Sequence, residues 1–457
     1  MYGAMRTDSA MIRAIGLIYV FAGIGFAQQP GTIVQEFHPP LPIQVCDAAG
    51  CQTEATSFVM DASRRWLYSV ADNGQTSCLT GDGYDPILCP DGLTCAQNCA
   101  VAGVTQEQYD VTYGTTTDGN SITFRFATES TVGENGYLLA TEDKYKMFRM
   151  KNREFTFDVD TSLLPCGMNG GVFFAEMEED GGMASFPSNK AGAKYGIGTC
   201  DGQCKHDLSY YAGKVNVERY TEEGVCCFEF DLWEANSWAN AYTTHGCTID
   251  GYYLCTGTEC GDGGDRYSGV CDKDGCGYNN FKLNQHFFYG ANDSYVIDTR
   301  RPFTVVTQFV TADGSDTGDL IDIRRIYVQD EVVIENSYVN YPGLESHNSI
   351  SDGFCADFTS YIGAGNYAAT VGGLKTIGEA LDRGVVLVFA LWADYGSYML
   401  WLDGLFPPDA DPSSPGALNG PCPADSGRPD DIIANYPDTA MTISNIKYGT
   451  LGSTYSG

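Results

Sequence analysis

Residues 226–236 read CCFEFDLWEAN, a run in which acidic and apolar side chains alternate. Alternation with a period of two predicts a β-strand that buries one face and presents the other. On a regular strand, Glu229 and Asp231 point to one side and Glu234 points to the other. The three carboxylates face one cleft only if a β-bulge inserts a residue between Asp231 and Glu234, and we predict such a bulge.

These carboxylates are costly to bury unless they are solvated or held in place for chemistry. Two carboxyl groups on one cleft wall can cleave a glycosidic bond: one is ionised and attacks the anomeric carbon, and the other protonates the leaving oxygen. A third acid can orient the nucleophile, and like charges this close drive the pKa values apart. The pattern alone also allows a solvated edge strand or a calcium site.

Strand patterns dominate the rest of the chain. Gly (54), Tyr (29) and Phe (23) are abundant, and no linker separates two blocks, so we predict a single domain. Only residues 373–383 predict a helix, because Leu374, Ile377 and Leu381 recur at helical spacing. So many short strands predict an all-β sandwich or barrel, with the long loops 248–280 and 404–430 as candidate cleft walls. The predicted strands are 121–128, 137–141, 145–150, 154–160, 170–177, 226–234, 303–311, 321–336, 384–392, 398–403 and 441–448.

The N-terminal residues 1–27 have the pattern of a secretory signal peptide: a basic start, an apolar run and small residues at the end. The run is too short to span a bilayer, so we expect a secreted, extracellular protein that does not enter the membrane. The 18 cysteines all follow this segment, and in an exported protein they predict disulfides. A zinc site is the alternative, but the chain has only five histidines.

The formal net charge is −33, which disfavours polyanionic partners such as nucleic acid or an anionic membrane. A neutral substrate is the natural partner of such a chain. We expect neither a cofactor nor a resident metal.

Several aromatic and charged residues are candidates for holding a neutral sugar chain. Trp392 and Trp401 end two apolar runs, and Trp66 lies in a cysteine-rich region; a flat indole ring can stack on the C–H face of a sugar. Each of these residues could equally belong to the core. Charged side chains of the cysteine-rich loop could hold sugar hydroxyls, and His245 could line the leaving-group side. The loop residues are Arg266, Asp274 and Lys282.

The chain resembles glycoside hydrolase family 7, the secreted cellobiohydrolases and β-1,4-endoglucanases, over essentially all of residues 28–457. The most specific match is Glu229-Phe-Asp-Leu-Trp-Glu-Ala-Asn. Further matches are His38-Pro-Pro, Leu164-Pro-Cys-Gly, Ala193-Lys-Tyr-Gly, Cys200-Asp-Gly-Gln-Cys, Phe303-Thr-Val-Val-Thr-Gln-Phe and Trp392-Ala-Asp-Tyr.

The resemblance implies a jelly-roll sandwich of two antiparallel sheets, concanavalin-like, with long disulfide-stapled loops that form a cleft or tunnel. It implies that Glu229 is the nucleophile, Asp231 its orienting partner and Glu234 the acid/base, acting with retention of configuration on cellulose or a related β-glucan. The implied substrate-binding residues are Trp66, Asn169, Asp201, Gln203, His245, Arg266, Asp274, Lys282, Trp392 and Trp401. The implied disulfides are 46–51, 78–99, 89–95, 166–422, 200–227, 204–226, 247–271, 255–260 and 276–355.

The mode of action depends on the loops. Segments 255–271 and 404–422 are long, as in the tunnel-forming cellobiohydrolases, whereas 217–226 is short, and Gly277, Phe406 and Asn419 replace polar or charged residues of the usual product site. We expect a monomeric cellobiohydrolase-type enzyme with a more open tunnel and no carbohydrate-binding module. The alternatives are an endoglucanase of the same fold and, more remotely, a non-catalytic carbohydrate-binding jelly roll.

Overall fold

Two β-sheets packed face to face organise the structure, a computed structural model that describes residues 28–81, 83–264 and 266–456. We call the sheet that contains the three carboxylates the acid sheet, and the other the back sheet. Aromatic side chains fill the core between them: the ring of Phe157 lies 6.5 Å from that of Trp233, and Phe155 lies 5.1 Å from Phe174. The predicted signal segment 1–27 lies outside the described residues.

The acid sheet has nine strands, which pair in antiparallel fashion. Its central strand places Asn169 opposite Trp392 and Gly171 opposite Glu234, which assembles the site described below. Across the sheet the strands are Lys144–Tyr145, Glu134–Thr141, Val385–Ala393, Met168–Ala175, Glu229–Ala235, Asn240–His245 and Cys276–Asn279, with Ser57–Met60 and Met147–Phe148 pairing at the side.

The back sheet has ten strands, antiparallel except where Ile43–Asp47 runs parallel to Ala440–Thr450. The predicted all-β sandwich is therefore confirmed. In order, the strands are Val332–Glu335, Leu320–Gln329, Phe303–Thr311, Arg153–Asp160, Ala440–Thr450, Ser121–Arg125 and Thr115–Asp118, with Ile43–Asp47, Gly50–Glu54 and Ser349–Ile350 pairing at the side.

Short elements connect the two sheets. The smaller strands are Gln29–Pro30, Leu67–Ser69, Leu79–Thr80, Gly83–Tyr84, Cys99–Val101, Tyr210–Tyr211, Lys214–Val215, Glu223–Cys226, Tyr253–Thr256, Tyr289–Gly290 and Ile297–Asp298. The α-helices are Gly92–Asn98, Asp352–Ile362, Tyr367–Thr370, Gly373–Arg383, Leu400–Asp403 and Pro429–Asn435, and the other helical turns are Ala62–Arg64, Gln108–Tyr113, Ala193–Tyr195 and Gly257–Cys260.

The helix predicted at 373–383 is confirmed, but the prediction missed a second helix of the same length, Asp352–Ile362. The strand predicted at 398–403 is wrong. The Asp394 carboxylate accepts hydrogen bonds from the next backbone N–H groups at Gly396 and Ser397, so the chain turns out of the sheet and then forms the helix Leu400–Asp403. The strand predicted at 321–336 is a hairpin, because Asp330 and Glu331 both have positive φ and reverse the chain. The alternation of apolar and polar residues continues from one strand of the hairpin into the next, so it does not mark the turn between them.

The 18 cysteines form nine disulfides, and no described cysteine is free. Several of these disulfides connect loops beside the acid sheet and do not lie between the two sheets. The pairs are Cys46–Cys51, Cys78–Cys99, Cys89–Cys95, Cys166–Cys422, Cys200–Cys227, Cys204–Cys226, Cys247–Cys271, Cys255–Cys260 and Cys276–Cys355.

Within the described ranges, every helix is too short or too polar to cross a membrane.

Candidate active site

The bulge predicted between Asp231 and Glu234 is present. On the neighbouring strand Asp231 pairs with Thr243 and Glu234 pairs with Ala241, so three steps along one strand match two along the other. The extra residue puts Glu234 on the same face as Glu229 and Asp231, away from the core. The prediction made from the chemistry is therefore confirmed by the register.

A buried arginine satisfies the backbone that the bulge leaves unpaired. Leu232 has no partner in the register of either neighbouring strand. Arg325 reaches across from the back sheet, 2% exposed, and its guanidinium donates to the Leu232 carbonyl at 2.5 Å. The ring of Tyr242 lies 4.2 Å from the same guanidinium. The bulge is thus held from inside the sandwich.

Glu229 lies among groups of both charges. Its Oε2 accepts a hydrogen bond from the Gly202 N–H at 2.9 Å. A Cβ at Gly202 would come within 2.6 Å of the His245 Cβ, so only glycine permits this approach. Burial, followed by the charges of Asp231 and Asp201, raises the pKa of Glu229 to about 8, and the positive charges of His245 and Lys205 limit that rise.

Asp231 is paired with a protonated histidine. His245 Nε2 lies 2.9 Å from Asp231 Oδ2, and its Nδ1 lies 2.8 Å from the Asp272 backbone oxygen. Both partners are acceptors, so both ring nitrogens donate. Burial opposes the imidazolium, but the hydrogen bond and charge of Asp231 outweigh it and raise the pKa of His245 to about 10. This imidazolium has no lone pair for a metal, although its nitrogen clusters with the oxygens of Glu229 and Asp231.

Glu234 lies in a drier environment than Glu229. It is 7% exposed, and its Oε1 accepts a hydrogen bond from Asn169 Nδ2 at 2.8 Å. Burial, followed by the charge of Asp231, raises the pKa of Glu234 well above its usual range, and the Asn169 bond does not offset this. Glu234 therefore retains its proton.

The two glutamates thus have different environments on one face of one strand. Glu229 faces a backbone N–H, two cations and the carboxylates of Asp231 and Asp201, whereas Glu234 is buried beside a neutral amide. In enzymes that use two carboxyl groups, such a difference in environment decides which group keeps a proton and acts as the acid, and which is ionised. The arrangement can protonate a leaving oxygen from Glu234 and attack a carbon with Glu229.

The structure brings two of the three predicted tryptophans together. Trp392 lies opposite Asn169 in the acid sheet, and the ring of Trp401 lies 6.3 Å away, tilted by 33°. Both are half-buried, so each leaves part of its ring accessible. Trp66 contacts Tyr68 and a serine instead and is 39% exposed, in a separate part of the chain.

The charged candidates of the cysteine-rich loop form one connected group. The Lys273 carbonyl accepts hydrogen bonds from Gln203 Nε2 and Arg266 Nη2, each at 2.9 Å. Arg266 Nε also donates to Asp274 Oδ1 at 2.5 Å. Burial lowers the pKa of Lys282, and the charge of Asp274 opposes that shift.

Asp201 lies between this group and the acid strand. Its Oδ2 is 2.6 Å from Lys205 Nζ, and its charge acts on Glu229.

Sequence reasoning missed three supporting groups. Two are backbone groups, the Gly202 N–H and the Asp272 carbonyl. The only sequence signal for the Gly202 N–H is the glycine of the Cys-Asp-Gly-Gln-Cys motif. The third is the fully buried Asp403, which accepts from the Gly167 N–H and from Asn236 Nδ2, each at 2.7 Å. It joins the chain just before Asn169 to the chain just after Glu234, and no local pattern marks it.

The sandwich and its divided carboxylates define a class, the carbohydrate-cleaving enzymes that work with two carboxyl groups. The family model for glycosyl hydrolase family 7 matches residues 30–455. The chain belongs to this family.

Individual relatives are similar along their whole length. Exoglucanase GH7B of Limnoria quadripunctata is 44% identical, over 97% of this chain and 100% of the relative. The crystal structure of a family 7 cellobiohydrolase from Daphnia pulex is 43% identical with a TM-score of 0.91, covering 93% of this chain and 100% of that one. A Melanocarpus albomyces cellobiohydrolase complexed with cellotetraose is 38% identical with a TM-score of 0.86, covering 93% and 99%.

Proposed function

We propose that the chain is a cellobiohydrolase-type cellulase that cleaves β-1,4-glucan with retention of configuration. The observation that carries this proposal is the bulge, because it places a protonated Glu234 on the same face as Glu229 and Asp231. The exoglucanase of Limnoria and the cellobiohydrolase of Daphnia support the reaction type, and the cellotetraose complex of the Melanocarpus enzyme supports the substrate class.

The reaction proceeds in two displacements. The Glu229 carboxylate attacks the anomeric carbon while Glu234 gives its proton to the departing glycosidic oxygen, which leaves a glycosyl ester on Glu229. Glu234, now a carboxylate, then takes a proton from water as the water attacks the same carbon and releases Glu229. Asp231 and the His245 imidazolium hold the nucleophile in place and balance the changing charge.

The substrate chain lies along the acid sheet in this proposal. Trp392 and Trp401 stack on glucosyl rings next to the scissile bond, and Trp66 stacks on one near the cleft entrance. Hydroxyl groups are bound by Asn169, Asp201, Gln203 and His245 near the acids, and by Arg266, Asp274 and Lys282 on the product side.

Fastened loops support the exo mode. Cys247–Cys271 and Cys255–Cys260 hold the loop that carries Arg266, and Cys166–Cys422 holds the loop that follows Trp401. The Tyr267 ring stacks on Tyr367 with centroids 3.6 Å apart and 5° between the planes, which ties the first loop to a neighbouring helix. Loops that are held in place over the cleft favour binding the end of a glucan chain, whereas an open cleft favours binding in the middle of the chain.

The protein is secreted and monomeric in this proposal, with residues 1–27 as the signal peptide and residues 28–457 as one catalytic domain. Nine disulfides support the extracellular location, because such bridges persist only in oxidising compartments.

The substitution Glu229→Gln tests the catalytic assignment. An amide at this position cannot form the glycosyl ester, so we expect turnover of an aryl β-cellobioside to fall by roughly 10³-fold or more. The exposed substitution Glu379→Gln on the helix Gly373–Arg383 is the matched control and should leave turnover unchanged. Unchanged turnover in Glu229→Gln would overturn the assignment.

A product profile on amorphous cellulose distinguishes the exo from the endo mode. We expect mainly cellobiose and a slow loss of viscosity. Rapid loss of viscosity on a soluble substituted cellulose would instead assign an endoglucanase, which the short segment 217–226 would then explain.

A further inference from the structure

A second cavity lies outside the acid site. It has a volume of about 460 Å³ and opens between residue 206, residues 220–222 and residues 256–263. This volume is within the range of sites that take small organic ligands. Its lining residues are His206, Tyr220, Thr221, Glu222, Thr256, Gly257, Asp262 and Gly263.

An aromatic stack forms one wall of this cavity. The ring of Tyr220 lies on the imidazole of His206, with centroids 5.0 Å apart and 15° between the planes. Tyr220 is 66% exposed, whereas His206 is 8% exposed. One face of the phenol is therefore supported by the histidine, and the ring is presented as a flat, rigid surface.

A buried imidazole nitrogen in the wall makes no hydrogen bond. His206 Nδ1 lies 2.8 Å from the Thr221 backbone oxygen, so Nδ1 is the donor of this pair. Nε2 makes no hydrogen bond, although Asp262 Oδ2 is 3.1 Å away. A hydroxyl group entering the cavity can donate to either of these atoms, and the exposed Glu222 adds a further acceptor.

One lysine links the cavity to the acid site. Lys273 Nζ lies 3.8 Å from Asp262 Oδ1, and the Lys273 carbonyl accepts the hydrogen bond from Gln203 Nε2. A second link is the chain itself, because His206 follows Lys205, which pairs with Asp201 beside Glu229. The cavity is therefore next to the residues proposed to bind the substrate chain.

We propose that this cavity is a second binding pocket for glucosyl units of a β-glucan, separate from the catalytic cleft. The inference rests on the proposed function for its substrate class. A flat aromatic surface, two carboxylates and an unpartnered imidazole nitrogen match the apolar C–H face and the hydroxyl groups of a neutral sugar. A cation fits less well, because the third group near His206 and Asp262 is Cys260, which is in a disulfide.

Calorimetric titration of cellotetraose into the Glu229→Gln protein tests the pocket without hydrolysis. We expect two binding events, of which the weaker belongs to the pocket. Tyr220→Ala should weaken that event by roughly 2- to 10-fold, the range for loss of one aromatic contact. Tyr220→Phe, which keeps the ring, should retain it, and Tyr436→Ala, at an exposed tyrosine elsewhere, should leave both events unchanged.

A single binding event in the protein that retains Tyr220, or a second event whose affinity Tyr220→Ala leaves unchanged, would refute the proposed pocket. A second event that EDTA abolishes would assign a cation site instead. Turnover of an aryl β-cellobioside by the unaltered enzyme separates this proposal from the proposed function: its absence would refute the function, whereas turnover with a single binding event would refute only the pocket.

Discussion

At the scale of single residues, identical side chains acquire different chemistry from their neighbours. Burial and the charge of Asp231 raise the pKa of both Glu229 and Glu234, but the Gly202 N–H and the Lys205 ammonium favour charge on the first, whereas the second is bonded to the neutral amide of Asn169. The burial that raises the pKa of Glu234 therefore serves the proposed reaction, because it keeps this carboxyl group protonated and able to act as the acid.

Glu234→Gln should separate the acid role from binding. We expect kcat/KM to fall by roughly 10²- to 10⁴-fold on substrates with poor leaving groups, and least on those with good ones, which need no proton. In the unaltered enzyme, activity is lost as the pH rises through the raised pKa of Glu234, because the acid loses its proton there. This alkaline limb should be absent from the pH profile of kcat/KM in Glu234→Gln.

Matched controls make that test specific. An equal loss on all leaving groups would contradict the acid role, and so would an alkaline limb that persists in Glu234→Gln. Asn169→Ala removes the hydrogen bond to Glu234 together with a group proposed to bind a substrate hydroxyl. The variant should retain an alkaline limb shifted to higher pH, because that hydrogen bond lowers the pKa of Glu234.

At the scale of the element, one irregular strand depends on the opposite sheet. The bulge in Glu229–Ala235 leaves the Leu232 carbonyl outside the ladder, and Arg325 of the strand Leu320–Gln329 bonds to it. An inserted residue in a central strand would otherwise bury an unpaired carbonyl. The catalytic register is therefore a property of two packed strands.

Arg325→Met should weaken both the fold and the catalytic register. Loss of a hydrogen bond from a charged donor to a buried carbonyl costs about 2 kcal/mol, so we expect a lower unfolding midpoint. A loosened bulge also misplaces Glu234, so kcat should fall roughly tenfold or more. Thermal unfolding and steady-state kinetics measure the two effects.

Arg324→Met is the matched control for that prediction. Arg324 precedes Arg325 on the same strand, but its side chain is half exposed and pairs with Asp322 at the surface. We expect little change in either measurement, since exposed ion pairs contribute at most about 1 kcal/mol. Equal effects at the two positions would contradict the role assigned to Arg325.

At the scale of the whole molecule, disulfides connect distant parts of the chain around the acid sheet. Cys166–Cys422 joins residues 256 apart in sequence, and its two ends lie next to Asn169 and to the loop after Trp401. Cys46–Cys51 closes a segment of five residues in the back sheet. Long closures restrict the unfolded chain far more than short ones do.

Removal of these bridges should have unequal effects. By the loop-closure relation, the double substitution Cys166→Ser/Cys422→Ser should cost about 5.5 kcal/mol, and Cys46→Ser/Cys51→Ser about 2 kcal/mol. The midpoints of chemical unfolding of the two variants measure the difference. A larger loss from the short bridge would show that local geometry, rather than chain entropy, determines their contributions.

Local patterns predicted the elements whose apolar residues recur with one regular period, such as the strand Arg153–Asp160 and the helix Gly373–Arg383. They failed where backbone turns cut an apolar run. Residues 398–403 resemble a strand, yet Met399 has a φ of 60° and begins a helix, and the hairpin at Asp330 and Glu331 divides another predicted strand. The geometry of a turn depends on a few backbone dihedral angles, and the spacing of apolar residues does not predict those angles.

The sequence by itself determined the residue types available to the site: three carboxylates at a spacing that requires a bulge, three candidate tryptophans and enough cysteines to fasten long loops. Its net charge of −33 also favours a neutral substrate. These are properties of single residues and of short spacings along one strand. The tertiary structure decided which carboxyl keeps its proton, because that depends on partners far away in sequence, namely Asn169 for Glu234, and Gly202 with Lys205 for Glu229. It also decided that the bulge can exist, since the hydrogen bond that completes it comes from Arg325 in the other sheet.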